Sequence, residues 1–226
     1  MKFAANNIDA TYELFPIEAI SGFVELLYGC PDLSGLNVTT PYKESVIRYL
    51  DQMDPVAVAI GAVNCIVIRN GKTKGYNTDA TGFKKSLNPL LKSQHTNALI
   101  LGTGGSSKAV AYALTQLGIP FQKVSRVKTE GGLNYNELSS DVISHHKLII
   151  NTTPVGMYPN IDEMPPLPFE HITDHHLLFD LIYNPEETKF LAMGREKGAA
   201  VKNGFEMLQL QAEASWEIWN QGQMPE

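Results

Sequence analysis

The sequence predicts an α/β protein folded as two domains, and three observations carry that reading. The stretch 97–114, NALILGTGGSSKAVAYAL, is an apolar run too short for a helix, then a glycine turn, then apolar residues at helical spacing. Further short apolar runs, Phe121 to Val124, Leu148 to Asn151, Leu177 to Ile182 and Ala199 to Val201, supply companion strands for a parallel sheet. The first 80 residues instead alternate short strands and short helices, and 226 residues with 43% hydrophobic content suffice for two small domains.

Taken in order, Met1 to Asn7, MKFAANN, reads as the last turn of a helix ended by its asparagines. Ala10 to Ile17 alternates and predicts a strand, and Ile20 to Tyr28 has the spacing of an amphipathic helix. Leu36 to Val38 is a short strand running into Thr39, Thr40, Pro41, Tyr42 and Lys43. Pro41 suits the first turn of a helix through Ser45 to Leu50, with Thr39 or Thr40 as its cap. Lys43 then falls in that first turn, where the helix dipole opposes a cation and eases loss of its proton, a property useful in catalysis. Asp54 to Ala59 predicts another short helix. Val63 to Ile68 and Lys72 to Tyr76 flank Asn70 and Gly71 as a hairpin. A helix starts at Asn77 to Asp79 and runs through Leu87, so capping and catalysis both account for Asp79.

In the second half, Gly102, Gly104 and Gly105 allow a sharp turn and close approach of a pyrophosphate, which the next helix would meet with free N–H groups. Ser106 and Ser107 can cap that helix and add hydroxyl donors. The GTGGSS pattern departs from GxGxxG, with its third glycine early and Ser107 where the last would fall. The second strand ends in Ser125, Arg126, Val127 and Lys128, with no carboxylate before Glu130 to hold a ribose 2′-hydroxyl. Arg126 and Lys128 could instead neutralise a 2′-phosphate, which favours NADP over NAD; the plain alternative is a pair of solvated surface cations. Asn151, Thr152 and Gly156 of NTTPVGM occupy the carboxyl end of a parallel strand, where ligands collect in open sheets. Met157 to Pro168 is a proline-rich loop, and Tyr183 in FDLIYNP stands at another strand end. A last amphipathic helix, Gly204 to Gln221, places Gln211 on the same face as Met207, where a polar side chain needs a partner.

A net charge of −6 argues against a nucleic-acid surface. Cys30 and Cys65 are few and far apart, no secretory leader is seen, and no apolar run reaches membrane-spanning length. The expectation is a soluble, cytoplasmic protein with a small-molecule substrate, no membrane and no nucleic-acid partner. His145 with His146 and His175 with His176 invite a metal, but adjacent residues point to different sides and no metal-ligand spacing accompanies them. Solvated or edge positions, and no metal site, are expected.

Eight segments in register resemble the shikimate dehydrogenase family: SGLNVTTPYK at 34–43, GAVNC at 61–65, GYNTDATG at 75–82, GTGGSSKA at 102–109, SR at 125–126, NTTPVGM at 151–157, DLIYNP at 180–185 and NGFEMLQLQA at 203–212. The resemblance implies a two-domain α/β enzyme: residues 1–80 form the substrate domain, residues 81–204 a Rossmann-like NADP domain, and the helix at about 205–221 returns to the first. It implies reversible reduction of 3-dehydroshikimate by NADPH, in a monomer or homodimer. Carried across, Lys43 matches the catalytic lysine and Asp79 its carboxylate partner. Thr39, Asn64, Asp79, Tyr183 and Gln211 match substrate contacts. Gly102, Thr103, Gly104, Gly105, Ser106, Ser125, Arg126, Leu181 and Gly204 match cofactor contacts. Cys65 stands where the family usually has a small hydroxyl residue, an expectedly mild change. No YxxxK pair exists to donate a proton in the manner of short-chain dehydrogenases. The chain opens near the end of the family's first helix, without the strand whose Ser-x-Ser binds the substrate carboxylate. Two alternatives follow: a shortened homologue that binds NADP with little turnover, or a quinate/shikimate dehydrogenase.

Overall fold

The computed structural model describes residues 2–221. Packing divides the chain into two units, Met1–Leu33 and Ser34–Glu226.

In the first unit, α1 (Lys2–Ala5) is a single turn, closed where the Asn6 N–H donates to the Phe3 carbonyl at 3.2 Å; Met1 lies outside the described residues. Residues 10–17 are not the expected strand. A strand needs a neighbour for its N–H and C=O groups. Among the described residues neither sheet includes a strand from this segment, and Pro16 has no N–H to offer. Its alternation meets no core: Tyr12 is 61% and Leu14 87% exposed. Helix α2 (Gly22–Gly29) forms as expected, with Phe23 buried.

The second unit opens with β1 (Gly35–Asn37), then a short 3-10 helix (Ser45–Tyr49), β2 (Gln52–Met53) and α3 (Pro55–Ile60). Asp54 caps α3, accepting from the Val56 N–H at 2.9 Å. Next come β3 (Cys65–Arg69) and β4 (Lys72–Tyr76), joined through Asn70 and Gly71 at φ 51° and 70°. Both turn residues lie in the left-handed region that a tight hairpin demands. These strands form a four-stranded sheet in the order β1-β3-β4-β2. Helix α4 (Asp79–Leu87) leads into β5 (Ala98–Leu101), α5 (Gly105–Gln116), β6 (Phe121–Ser125), β7 (Leu133–Asn134), α6 (Ser140–His145), β8 (Leu148–Asn151), β9 (Leu177–Asp180), α7 (Lys189–Glu196), β10 (Ala200–Lys202) and α8 (Phe205–Asn220).

The second sheet is six-stranded and wholly parallel, in the order β10-β9-β8-β5-β6-β7. β5, β8 and β9 are fully buried, as parallel strands covered on both faces are. Side-chain alternation divides its core. Ala98 and Ile100 join Phe83, Val110, Leu114 and Met207 on one face, and Leu99 and Leu101 join Ile143, Phe190 and Leu191 on the other.

His146 and His176 are not solvated or at an edge. They are 6% and 1% exposed, because the main chain supplies their partners. The His146 ring bonds the Val142 carbonyl at 2.7 Å; His176 Nδ1 accepts from the Thr173 N–H at 3.0 Å and its Nε2 donates to the Ile143 carbonyl at 3.1 Å.

Candidate active site

The sheet's register sets Leu101, Asn151 and Asp180 abreast at its carboxyl edge, where the strand order reverses about β5. Just beyond, Gly102 takes φ 111°, and a Cβ there would lie 2.7 Å from Thr152 Oγ1. That hydroxyl is fixed, since it donates to the Leu101 carbonyl at 2.6 Å. Only glycine fits. Ser106 and Ser107 do not cap α5 as expected: Gly104 holds the N-cap position with no side-chain bond. Ser107 is buried and donates back to the Gly102 carbonyl at 2.8 Å, and Ser106 Oγ lies 3.4 Å from Lys43 Nζ. The first N–H groups of α5 thus keep no side-chain acceptor beside exposed Thr103 and Gly104, an arrangement suited to an anion. A Cβ on Gly105 would come within 3.1 Å of Lys43 Cβ, so the turn lies directly against the lysine.

At the end of β6, Ser125 Oγ donates to the Val127 carbonyl at 2.5 Å and Asn134 Nδ2 to the Arg126 carbonyl at 2.7 Å. The two cations named from sequence part company here. Lys128 is held by Glu137 at 2.5 Å, and Glu137 also accepts the Asn134 N–H at 2.7 Å. That N–H and then Lys128 keep the Glu137 carboxyl below the usual range. The Arg126 guanidinium is exposed and enters no ion pair among the described residues. Of the two, only Lys128 is held in an ion pair among the described residues.

Leu181 and Gly204 meet at the next strand end. A Cβ on Gly204 would lie 2.0 Å from the Leu181 carbonyl oxygen, so α8 can start only against that backbone. Behind them Asp180, wholly buried, accepts from Asn151 Nδ2 at 3.0 Å, the Ile182 N–H at 3.0 Å and Thr188 Oγ1 at 2.6 Å. Burial pushes its carboxyl up to about 6. Asn151 passes the order on by accepting from the Thr153 N–H and hydroxyl at 3.0 and 2.7 Å. Tyr183 is 49% exposed at this edge.

The most condensed chemistry lies between the sheets. Lys43 Nζ bonds Asp79 Oδ2 at 2.6 Å, with the side chains 15% and 8% exposed. Asn64 Nδ2 donates to Asp79 Oδ1 at 2.9 Å and reaches Gln211 Oε1 at 3.3 Å. Lys43, however, is not in the first turn of a helix. Its carbonyl is taken by the Val63 N–H at 2.7 Å, and the 3-10 helix begins only at Ser45. No first-turn helix dipole therefore acts on Lys43, and Asp79 places it instead. Asp79 is not a cap either: Asn77 Oδ1 accepts the Ala80 N–H at 3.2 Å and leaves the Asp79 carboxylate to the lysine. Thr39, also expected here, is exposed, and among the described residues no hydrogen bond joins it or Tyr183 to this pair.

Sequence reasoning missed three members of the cluster. Thr78 Oγ1 lies 2.9 Å from Asn64 Nδ2 and 3.0 Å from Ser215 Oγ, and Asn37 Nδ2 donates to Ser215 at 3.2 Å. Thr78 belongs to the Asn77–Asp79 stretch read as a helix start, and Ser215 follows Gln211 by one helical turn on the same face. Those were the available signals. Ser215 also touches the Cys65 thiol, which burial pushes up to about 12.

A parallel sheet ending in a glycine turn suited to an anion, with a lysine–carboxylate pair against it, defines the architecture of a nucleotide-binding α/β protein. Comparison with known proteins makes this particular. Residues 1–66 match the model of the shikimate dehydrogenase substrate binding domain. The chain is 40% identical over 240 residues to the shikimate dehydrogenase (NADP(+)) of Halothermothrix orenii, covering 96% of this chain and 83% of that one. Among solved structures it resembles shikimate dehydrogenase 1 from Peptoclostridium difficile at TM-score 0.84 and 38% identity, over 97% of this chain and 84% of the other. It also resembles the Thermus thermophilus shikimate 5-dehydrogenase in complex with NADP(H) and shikimate, at TM-score 0.83 and 30% identity, over 99% and 87%. The chain belongs to the shikimate dehydrogenase family.

Proposed function

We propose that this chain catalyses the reversible, NADPH-dependent reduction of 3-dehydroshikimate to shikimate, with Lys43 and Asp79 as the acid–base pair. The carrying observation is the 2.6 Å contact between them, set against the glycine turn. The turn fits the cofactor's anionic part: a cradle that a Cβ would fill, uncapped helix N–H groups, and at the neighbouring strand end the exposed Arg126 guanidinium, which enters no ion pair among the described residues. Gly102 to Ser106 would hold the pyrophosphate, Ser125 and Arg126 the 2′-phosphorylated ribose, and Leu181 with Gly204 the far half. When bound, NADPH supplies the hydride for the substrate's carbonyl carbon.

The chain's own part is the proton. As negative charge grows on the substrate oxygen, the Lys43 ammonium delivers a proton to it, and in the reverse direction the amine takes it from the hydroxyl. Asp79 aims that nitrogen and offsets its charge, and Asn64 keeps the carboxylate's other oxygen occupied. Thr39, Asn64, Tyr183 and Gln211 would contact substrate hydroxyl and carboxylate groups. Residues 1–80 with α8 form the substrate side and residues 81–204 the cofactor side, a division supported by the two separate sheets. The chain acts as a monomer or homodimer in the cytoplasm, on a small molecule and without nucleic acid or membrane; among the described residues no helix is long and apolar enough to cross one.

The test is shikimate-dependent reduction of NADP followed by nicotinamide absorbance. Turnover is expected with shikimate and NADP, and weaker turnover with quinate or NAD. No turnover with any pairing, in a chain that binds NADP by calorimetry, refutes the catalytic reading.

A further inference from the structure

We propose that Ser215, buried on α8 and outside the residues assigned to substrate or cofactor, is a positioning residue that fixes how Thr78, Asn64 and Gln211 present their hydrogen bonds at the Lys43–Asp79 pair. The proposal rests on the reading of that pair given above. Its basis is the direction in which hydrogen bonds can run. An amide nitrogen only donates, so Asn37 Nδ2, 3.2 Å from Ser215 Oγ, makes the serine an acceptor on that side. The Ser215 hydrogen must then go elsewhere. Its neighbours are Thr78 Oγ1 at 3.0 Å and the Cys65 sulfur, and oxygen is the stronger acceptor.

Thr78 has a second claim on its lone pairs, from Asn64 Nδ2 at 2.9 Å. The Asn64 amide cannot turn over. Its Oδ1 accepts the Thr78 N–H at 2.7 Å, and a flip would set that oxygen against the Asp79 carboxylate. With both lone pairs used, the Thr78 hydroxyl is left to donate, and its targets are Asn64 Oδ1 at 3.2 Å and Gln211 Oε1 at 3.4 Å. Gln211 Oε1 faces two donors, this hydroxyl and Asn64 Nδ2 at 3.3 Å, which together fix it as the acceptor end of that amide. Nε2, already bonded to the Leu208 carbonyl at 2.9 Å, is then the end with a hydrogen left for a ligand. The sequence Asn37 to Ser215 to Thr78 therefore runs one way, and it ends on the acceptor oxygens of Asn64 and Gln211. Ser215 is 0% and Thr78 1% exposed, so water does not replace a lost link.

The test compares Ser215→Ala and Thr78→Val with the native chain. Losing one such hydrogen bond should raise KM for shikimate about five- to tenfold, with kcat changed less than about threefold and KM for NADP unchanged. Because both substitutions cut the same link, the double variant should be no worse than Thr78→Val alone. Asn37→Ala should reproduce the shikimate effect more weakly. If Ser215→Ala lowers the melting temperature but leaves KM for shikimate at the native value, or if the two changes multiply, Ser215 is packing only and the proposal falls. Lys43→Met serves as the control for the underlying reading: if it keeps native turnover, the acid–base assignment fails whatever Ser215→Ala does.

Discussion

Replacing Lys43 by Met keeps length and apolar stem but removes the ammonium, and the structure gives the consequence for stability and for rate separately. At 2.6 Å the attraction between Lys43 and Asp79 is about 6 kcal/mol at an effective dielectric of about 20, before the cost of taking both ions from water. The pair is mostly but not wholly buried, so the net loss on stranding Asp79 should be about 2–3 kcal/mol. Adding Asp79→Asn should recover about half of that, because the neutral amide needs no cation and can still accept from Asn64. Rate should not recover. Loss of a positioned acid should lower kcat about 10²- to 10⁴-fold in both the single and the double variant. Denaturant unfolding measures the first effect, and steady-state shikimate oxidation with saturating NADP the second. A kcat within about tenfold of native in the single variant, or recovery of rate with stability in the double variant, would refute the reasoning.

Arg126→Ala should raise KM for NADP about 10- to 100-fold and leave that for NAD nearly unchanged, while Lys128→Ala should do little because Glu137 already holds that lysine. Gly102→Ala should abolish measurable NADP binding by calorimetry, since φ 111° and the fixed Thr152 hydroxyl leave no room for a methyl. Burial lowers His95, His146 and His176 below the usual histidine value, so the unfolded chain binds protons first on acidification. Stability should therefore be full above about pH 6.5 and fall as the pH drops below it, read as a falling denaturant midpoint. Asp180 works against this trend. Raised to about 6, it holds its proton in the fold after the unfolded chain has released its own, so its contribution falls as pH rises from about 4 to about 6. Asp180→Asn should make the midpoint climb more steeply with pH across that window.

Local patterns made much of this fold legible. The apolar run Ala98 to Leu101 with its glycines needed no partner to be read, because period and turn chemistry are written within a dozen residues. The hairpin at Asn70 and Gly71 and the cap at Asp54 were legible for the same reason. What failed depended on distant groups. Residues 10–17 have the alternation of a strand but, among the described residues, join neither sheet. Pro41 promised a helical first turn, and Val63 claims the Lys43 carbonyl from twenty residues away. Asp79 could have capped a helix or held a lysine, and only the position of Asn77 decides. The two-residue strands β2 and β7 are too short to carry any period. Ser215 looks like one small residue among many on an amphipathic helix until Asn37 and Thr78 are brought to it in space.

Helix α8 starts against the Leu181 backbone at Gly204, passes Met207 and Gln211, and near its far end Trp219 Nε1 donates to the Ile66 carbonyl of β3 at 3.0 Å. Sixteen residues of helix make a rod of about 24 Å, stiff along its length. Such a rod bolts the edge of the parallel sheet to the smaller sheet. A crevice that breathes around Lys43 must flex where the chain crosses between the sheets, ahead of α4 and at the Asn203–Gly204 joint, and Gln211 travels with the rod as a spoke travels with its hub.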